Sequence, residues 1–126
     1  MKTQFLINSE SQQLQYMKVD QKGHTTILKN TQGDCVAFLE KVTTQHNSFK
    51  NQNLILDMSM DKEVKLKQIK LFSDLSKTHK KGKKSFVIVV QDIDFNDVPT
   101  KLTVVPTLLE AHDIIEMEEI ERDLGF

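Results

Sequence analysis

Apolar and polar positions follow two rhythms along this chain, one of alternation and one of helical spacing. Met17-Lys18-Val19-Asp20 and Thr25-Thr26-Ile27-Leu28 are short runs of apolar and β-branched residues on either side of Lys22-Gly23, which predicts a hairpin. Asn30 to Gly33 breaks that pattern. Asp34 then stands where an N-cap belongs, before Val36, Phe38, Leu39 and Val42 at near-helical spacing, so a helix is expected from Asp34 to about Gln45. His46 to Gln52 reads as a polar connection. Leu54-Ile55-Leu56 is a short branched run, and a further one follows at Ser85-Phe86-Val87-Ile88-Val89-Val90. Between them, Met60 to His79 carries Val64, Leu66, Ile69, Phe72 and Leu75 and predicts one long amphipathic helix. Gly82, among Lys80 to Lys84, is expected to end it. Gln91 to Thr100 is an acidic loop or helical turn, Leu102 to Val105 a last strand. Pro106-Thr107 opens a helix to about Asp123, with Leu108, Ala111, Ile114, Ile115 and Ile120 on its expected buried side.

The stretch Asn53 to Val90 is the organising unit, a strand, helix and strand whose right-handed crossover lays the helix over one face of a parallel pair. The full order is β-β-α-β-α-β-loop-β-α. It predicts an α/β domain with a mixed sheet of about five strands and three to four helices. Residues 1–16 form a polar N-terminal extension in which Gln and Ser, with Asn8 and Glu10, predominate, expected to be flexible or to dock on an edge through Phe5-Leu6-Ile7. Residues 17–126 form the compact domain, and Met17 is a second candidate start.

Composition narrows the class without specifying a task. Of 126 residues, 38% are hydrophobic and 28% charged, and the formal net charge is -1, so no global charge draws the chain to nucleic acid or an anionic membrane. No apolar run is long enough to span a bilayer, and Met1 to Ile7 is too short of apolar residues for a signal peptide. The single cysteine, Cys35, suits a reducing compartment and reads as a half-buried helix residue. A cytoplasmic protein is expected.

Charge is unevenly distributed. Lys62 to Lys84 holds nine lysines, whereas Glu110 to Asp123 holds seven acidic residues and the sole arginine, Arg122. Such runs are solvated helix faces or complementary docking faces. A nucleic-acid surface at Lys77 to Lys84 would lack both arginine forks and a stacking platform. His24, His46, His79 and His112 are distant in sequence, with no metal-ligand spacing, and each is expected to stand alone as a surface or helix-face residue. Asp92, Asp94 and Asp97 lack the glycine and glutamate of a calcium loop. With four glycines in all, no phosphate loop can form, and no nucleophile motif is present. No cofactor and no catalytic residue is assigned.

Three segments together resemble the STAS domain, the fold of bacterial anti-sigma-factor antagonists and sulfate-transporter tails. Leu54-Ile55-Leu56-Asp57-Met58-Ser59 is similar to the end of that family's central strand. Phe86 to Val90 follows at a fitting distance. Val104-Val105-Pro106-Thr107-Leu108-Leu109-Glu110-Ala111 resembles the closing strand and helix start. The ending through Phe126 is similar to small bacterial STAS-like proteins, some of which carry the label ribonuclease Z. A nuclease of that type needs a His-x-His-x-Asp-His cluster, which this sequence lacks.

The resemblance implies a STAS-like protein-binding module rather than an enzyme. Antagonists carry Asp-Ser-Ser-Gly at a helix start, with the first serine phosphorylated; the matching positions here are Lys65, Leu66, Lys67 and Gln68, so the phosphorylatable hydroxyl is replaced by Leu66. By the same analogy the partner-binding residues are Ser59, Met60, Asp61, Lys62, Lys65, Leu66, Lys67 and Gln68. The partner is another protein, with a second copy left open. The C-terminal helix, with Met117, Leu124 and Phe126, is a second candidate surface, although core packing is the expected place for those three. Two alternatives stand beside this reading: a metal-dependent nuclease or hydrolase, and a small-ligand or nucleotide binder.

Overall fold

A computed structural model describes residues 17–31 and 33–125 of the chain. Its five strands are β1 (Met17–Lys22), β2 (Thr25–Asn30), β3 (Asn53–Asp57), β4 (Phe86–Val89) and β5 (Thr103–Val105). They lie side by side in sequence order, with β1 antiparallel to β2 and the other neighbours parallel. The mixed five-stranded sheet of an α/β domain is therefore present. The expected extension, residues 1–16, and Phe126 lie outside the described residues.

The hairpin closes in two residues, Gly23 and His24, since Lys22 pairs with Thr25. Gly23 has φ +59 and holds the first turn position, where a tight hairpin needs a left-handed residue. Strands β3 and β4 are buried at every position, which explains their unbroken apolar runs. Their side chains divide by parity. Leu54 and Leu56, with Phe86 and Ile88, enter one core; Ile55, with Val87 and Val89, enters the other.

Helix α1 (Cys35–Phe49) is capped by Asp34, whose carboxylate accepts from the N–H groups of Val36 at 3.1 Å and Ala37 at 3.2 Å. It runs four residues past the predicted Gln45, so His46 is helical rather than part of a connection. The single long helix expected over Met60 to His79 is instead a turn region followed by two helices, α2 (Leu66–Lys70) and α3 (Ser73–Lys81). Leu66, Ile69, Phe72 and Leu75 are spaced by three. On one straight helix of 3.6 residues per turn they would fan over roughly 180°. At the junction, the N–H groups of Leu71 and Phe72 reach back only three residues, to Gln68 and Ile69. That tightening turns Phe72 fully into the core and leaves Leu71 54% exposed. Gly82 ends α3 with φ -82, an ordinary value, and the left-handed residue is Lys83 at φ 65.

The sheet's two faces are covered unequally, and topology is the reason. Each crossover from β2 to β4 moves one strand in the same direction, so right-handed connections put α1, α2 and α3 on one face. Ile93, Val98 and Leu102 of the β4–β5 connection join that core as well. Among the described residues only α4 (Leu108–Asp123), which follows the last strand, covers the other face, through Ala111, Ile115 and Ile114. Leu108 and Ile120 were expected on that buried side, but are 36% and 54% exposed. No helix among the described residues is long and apolar enough to cross a membrane.

Candidate functional site

The eight candidate residues between Ser59 and Gln68 lie in the segment that leaves the carboxyl end of β3, the central strand, and enters α2. The segment leaves the sheet under tight local control. Asp57, itself buried, accepts from the Ser59 N–H at 3.0 Å, and the Asp61 N–H bonds back to the Met58 carbonyl at 3.0 Å. The Asp61 carboxylate then accepts from the Glu63 N–H at 3.0 Å. Met58 and Val64 are buried, anchoring both ends of the turn. Gln68 reaches back to the Lys65 N–H at 2.9 Å; lysine has no acceptor, so only this half of a capping box forms.

The outward residues of this segment, on both sides of Val64, are chemically mixed. Met60 is 57% exposed. Lys62, Lys65 and Lys67 are exposed, whereas Ser59, Asp61, Leu66 and Gln68 are half-buried. Leu66 is the first residue of α2, so the helix start where the resemblance puts a phosphorylated serine bears a half-buried aliphatic side chain. The segment thus carries an exposed methionine and three exposed lysines, with Asp61 and exposed Glu63 between them, a mix suited to a partner that offers both charge and an apolar contact.

Cys35, expected to be half-buried, is fully enclosed, with its thiol 3.7 Å from the Met58 sulfur. Burial first, and then the charges of Asp61 and Asp34, push that thiol up to about 12. It is an inert core residue rather than a nucleophile. Among the described residues, no three His, Cys, Asp or Glu side chains converge where a metal could sit.

The expectation of four solitary histidines fails for two of them. His46 of α1 and His79 of α3 meet at 2.8 Å between Nε2 and Nδ1, and His79 is 1% exposed. His79 Nε2 lies 2.8 Å from the Gln52 carbonyl oxygen. A carbonyl only accepts, so His79 carries its proton on Nε2 and accepts at Nδ1 from His46 Nε2–H. A second proton on His79 would point at a donor. Burial is the main cause that lowers its pKa to about 4, aided by His46 and Lys84. His46 is also lowered, by burial and then by Lys50. The pair ties two helices to the entrance of β3. Thirty-three residues separate its members, so no local spacing could reveal it.

A second polar cluster closes the amino end of the sheet. Fully buried Asn53 donates from Nδ2 to Glu119 at 2.9 Å, while its Oδ1 accepts from the Ser85 N–H at 2.9 Å and from Arg122 Nη2 at 3.3 Å. Ser85 Oγ donates to Glu118 and accepts from Arg122 Nη1 at 3.3 Å. His24, in the hairpin turn, lies 3.8 Å from Glu119. These contacts clamp the second half of α4 to β3 and β4, where its apolar contacts with the sheet have run out. Part of the acidic run in α4 is therefore structural.

The lysine-rich run lies in the opposite layer. Lys77, Lys80, Lys81 and Lys101, with Ser73 and Asp74, line an open groove of about 570 Å³ on α3. Lys80 donates to the Lys101 carbonyl at 3.0 Å. The positive and negative helices thus flank the sheet on opposite sides, and they approach each other at one end, where Lys80, Lys83 and Lys84 line a shared pocket with Glu118, Glu121 and Arg122. Neither a family model nor a curated protein matches the chain.

Proposed function

We propose that the chain is a non-enzymatic, cytoplasmic interaction module of STAS-like type that lacks the phosphorylatable serine and binds another protein through Ser59 to Gln68. One observation carries the reading: the surface at the carboxyl end of the central strand presents an exposed Met60 among Lys62, Lys65 and Lys67, held by a turn with both ends anchored. The mixed five-stranded sheet and its element order support the STAS-like part of the proposal. With Leu66 in place of serine, partner binding would be constitutive with respect to phosphorylation at that position.

Affinity capture from the native cytoplasm tests this, with the tagged wild type compared with a Lys65→Glu/Lys67→Glu variant. Both lysines are exposed, so the variant is expected to keep its stability within about 0.5 kcal/mol. It should lose a partner that the wild type retains. Equal capture by both proteins would remove Ser59 to Gln68 as the binding surface. Tightly held zinc in the purified protein would favour a hydrolase instead, and a rise in melting temperature with GTP or ATP would favour a nucleotide binder.

A further inference from the structure

Helix α4 is apolar on two opposite faces, and the sheet uses only one of them. Ala111 and Ile115 are buried against the strands. Away from the sheet, Leu109 is 72% exposed, Met117 57%, Ile120 54% and Leu124 66%. At about 100° per residue these four fall within roughly 80° of arc, centred opposite the buried pair. Isolated exposed apolar residues need no explanation, but four on one helix face, interrupted only by Asp113, mark a contact surface. Surface exposure thus corrects the expectation that Met117 and Leu124 pack in the core.

The rims of the stripe say what would cover it. Glu116 and Asp123 run along one margin, Glu110 and Glu121 along the other, and Asp113 lies within it; all are exposed. Among the described residues of α4, Arg122 is held at Asn53 and Ser85 and His112 is half-buried, so the basic groups nearest the margins are Lys80, Lys83 and Lys84, which share a pocket with Glu121 at one end. Two copies of α4 packed on each other would bring rows of carboxylates together, at a cost in repulsion and desolvation. The segment before Met17 carries one lysine and one glutamate and supplies no basic rim either.

We infer that the outer face of α4 docks an amphipathic helix of another protein, with an apolar ridge flanked by lysine or arginine. The ridge would lie along Leu109, Met117, Ile120 and Leu124, and the flanking cations would meet the two acidic margins, as in helix-on-helix recognition. This inference rests on the reading of the chain as an interaction module but uses the opposite layer from Ser59 to Gln68. The two surfaces could hold different partners at once.

The test uses the full chain and three synthetic helical peptides of one length. The first has a leucine ridge rimmed by lysines, the second the same ridge rimmed by glutamates, and the third the first composition with its ridge scrambled. Saturable binding of the lysine-rimmed peptide is expected, with the other two weaker by about tenfold or more. An Ile120→Ser/Leu124→Ser variant should lose a similar factor, because both side chains are exposed and the fold does not need them. The Lys65→Glu/Lys67→Glu variant should bind the peptide like wild type, so that failure at one surface is distinguishable from failure at the other. Equal binding of all three peptides, no binding of the first, or indifference to the serine substitutions would overturn the inference. So would sedimentation of the wild type as a dimer that Ile120→Ser/Leu124→Ser dissociates, which would assign the face to a second copy. A gain in affinity on replacing Phe5, Leu6 and Ile7 by serine would assign it to the chain's own start and equally overturn it.

Discussion

Replacing Asn53 by alanine is expected to destabilise the protein by about 3 kcal/mol, seen as a lower urea midpoint with an unchanged slope. The side chain is fully buried and satisfies three groups: the Ser85 N–H, Arg122 and Glu119. Truncation leaves the Ser85 N–H in a dry site with no acceptor, and buried unpaired donors cost more than the bonds they lose. It also frees Glu119 and Arg122, two of the polar contacts that hold the second half of α4. Amide exchange should therefore accelerate in residues 116–123 more than in β3 or β4. A loss below about 0.5 kcal/mol, typical of a neutral surface change, would mean that the cluster does not anchor the helix.

Acid should weaken the fold through His79. Its folded pKa, about 4, lies below the ordinary value of 6.5. In that window the unfolded chain binds the proton and the folded chain does not, so stability rises with pH. The contribution is fully present above about pH 6.5 and is lost as pH falls toward 4, amounting to about 3 kcal/mol over the whole window. Of the facing groups, the Gln52 carbonyl opposes the shift by accepting from His79, whereas His46 and Lys84 both disfavour a second charge there. Carboxylates titrate at the low end of this range, so the informative quantity is the difference between wild type and a His79→Gln variant. The variant is expected to be less stable at pH 7 and to lose less stability between pH 7 and 5. Parallel profiles over that interval would show that His79 is not the titrating group.

Both predictions concern groups that the sequence presents as ordinary. Asn53 sits at the margin of an apolar run, and His79 in a lysine-rich helix. Their importance arises from contacts to residues far along the chain, Glu119 and Arg122 in one case and His46 and Gln52 in the other. The candidate surface differs in this respect. Ser59 to Gln68 is contiguous, so its assembly required only that the chain turn out of β3, and the anchoring Val64 was already visible as an apolar position. What the apolar spacing concealed there was the break at Leu71 and Phe72. A repeat of three is compatible with a long helix on paper, but burying Ile69, Phe72 and Leu75 against one sheet face requires a change of direction.

The strands, their order along the chain, the cap at Asp34 and the final helix were all determined by local chemistry. Branched apolar runs favour extended backbone, a carboxylate before a helical pattern satisfies free N–H groups, and glycine relieves the turn at Gly23. Local chemistry acts over a few residues and so can be read in order. Only the tertiary structure decided which helix faces are covered. Right-handed crossovers gathered α1, α2 and α3 on one side of the sheet and left α4, alone among the described helices, on the other with apolar residues turned outward. The same packing joined His46 to His79 and Arg122 to Asn53. Which surfaces remain for a partner is therefore a consequence of topology, because burial is a property of the assembled layers and not of any one segment.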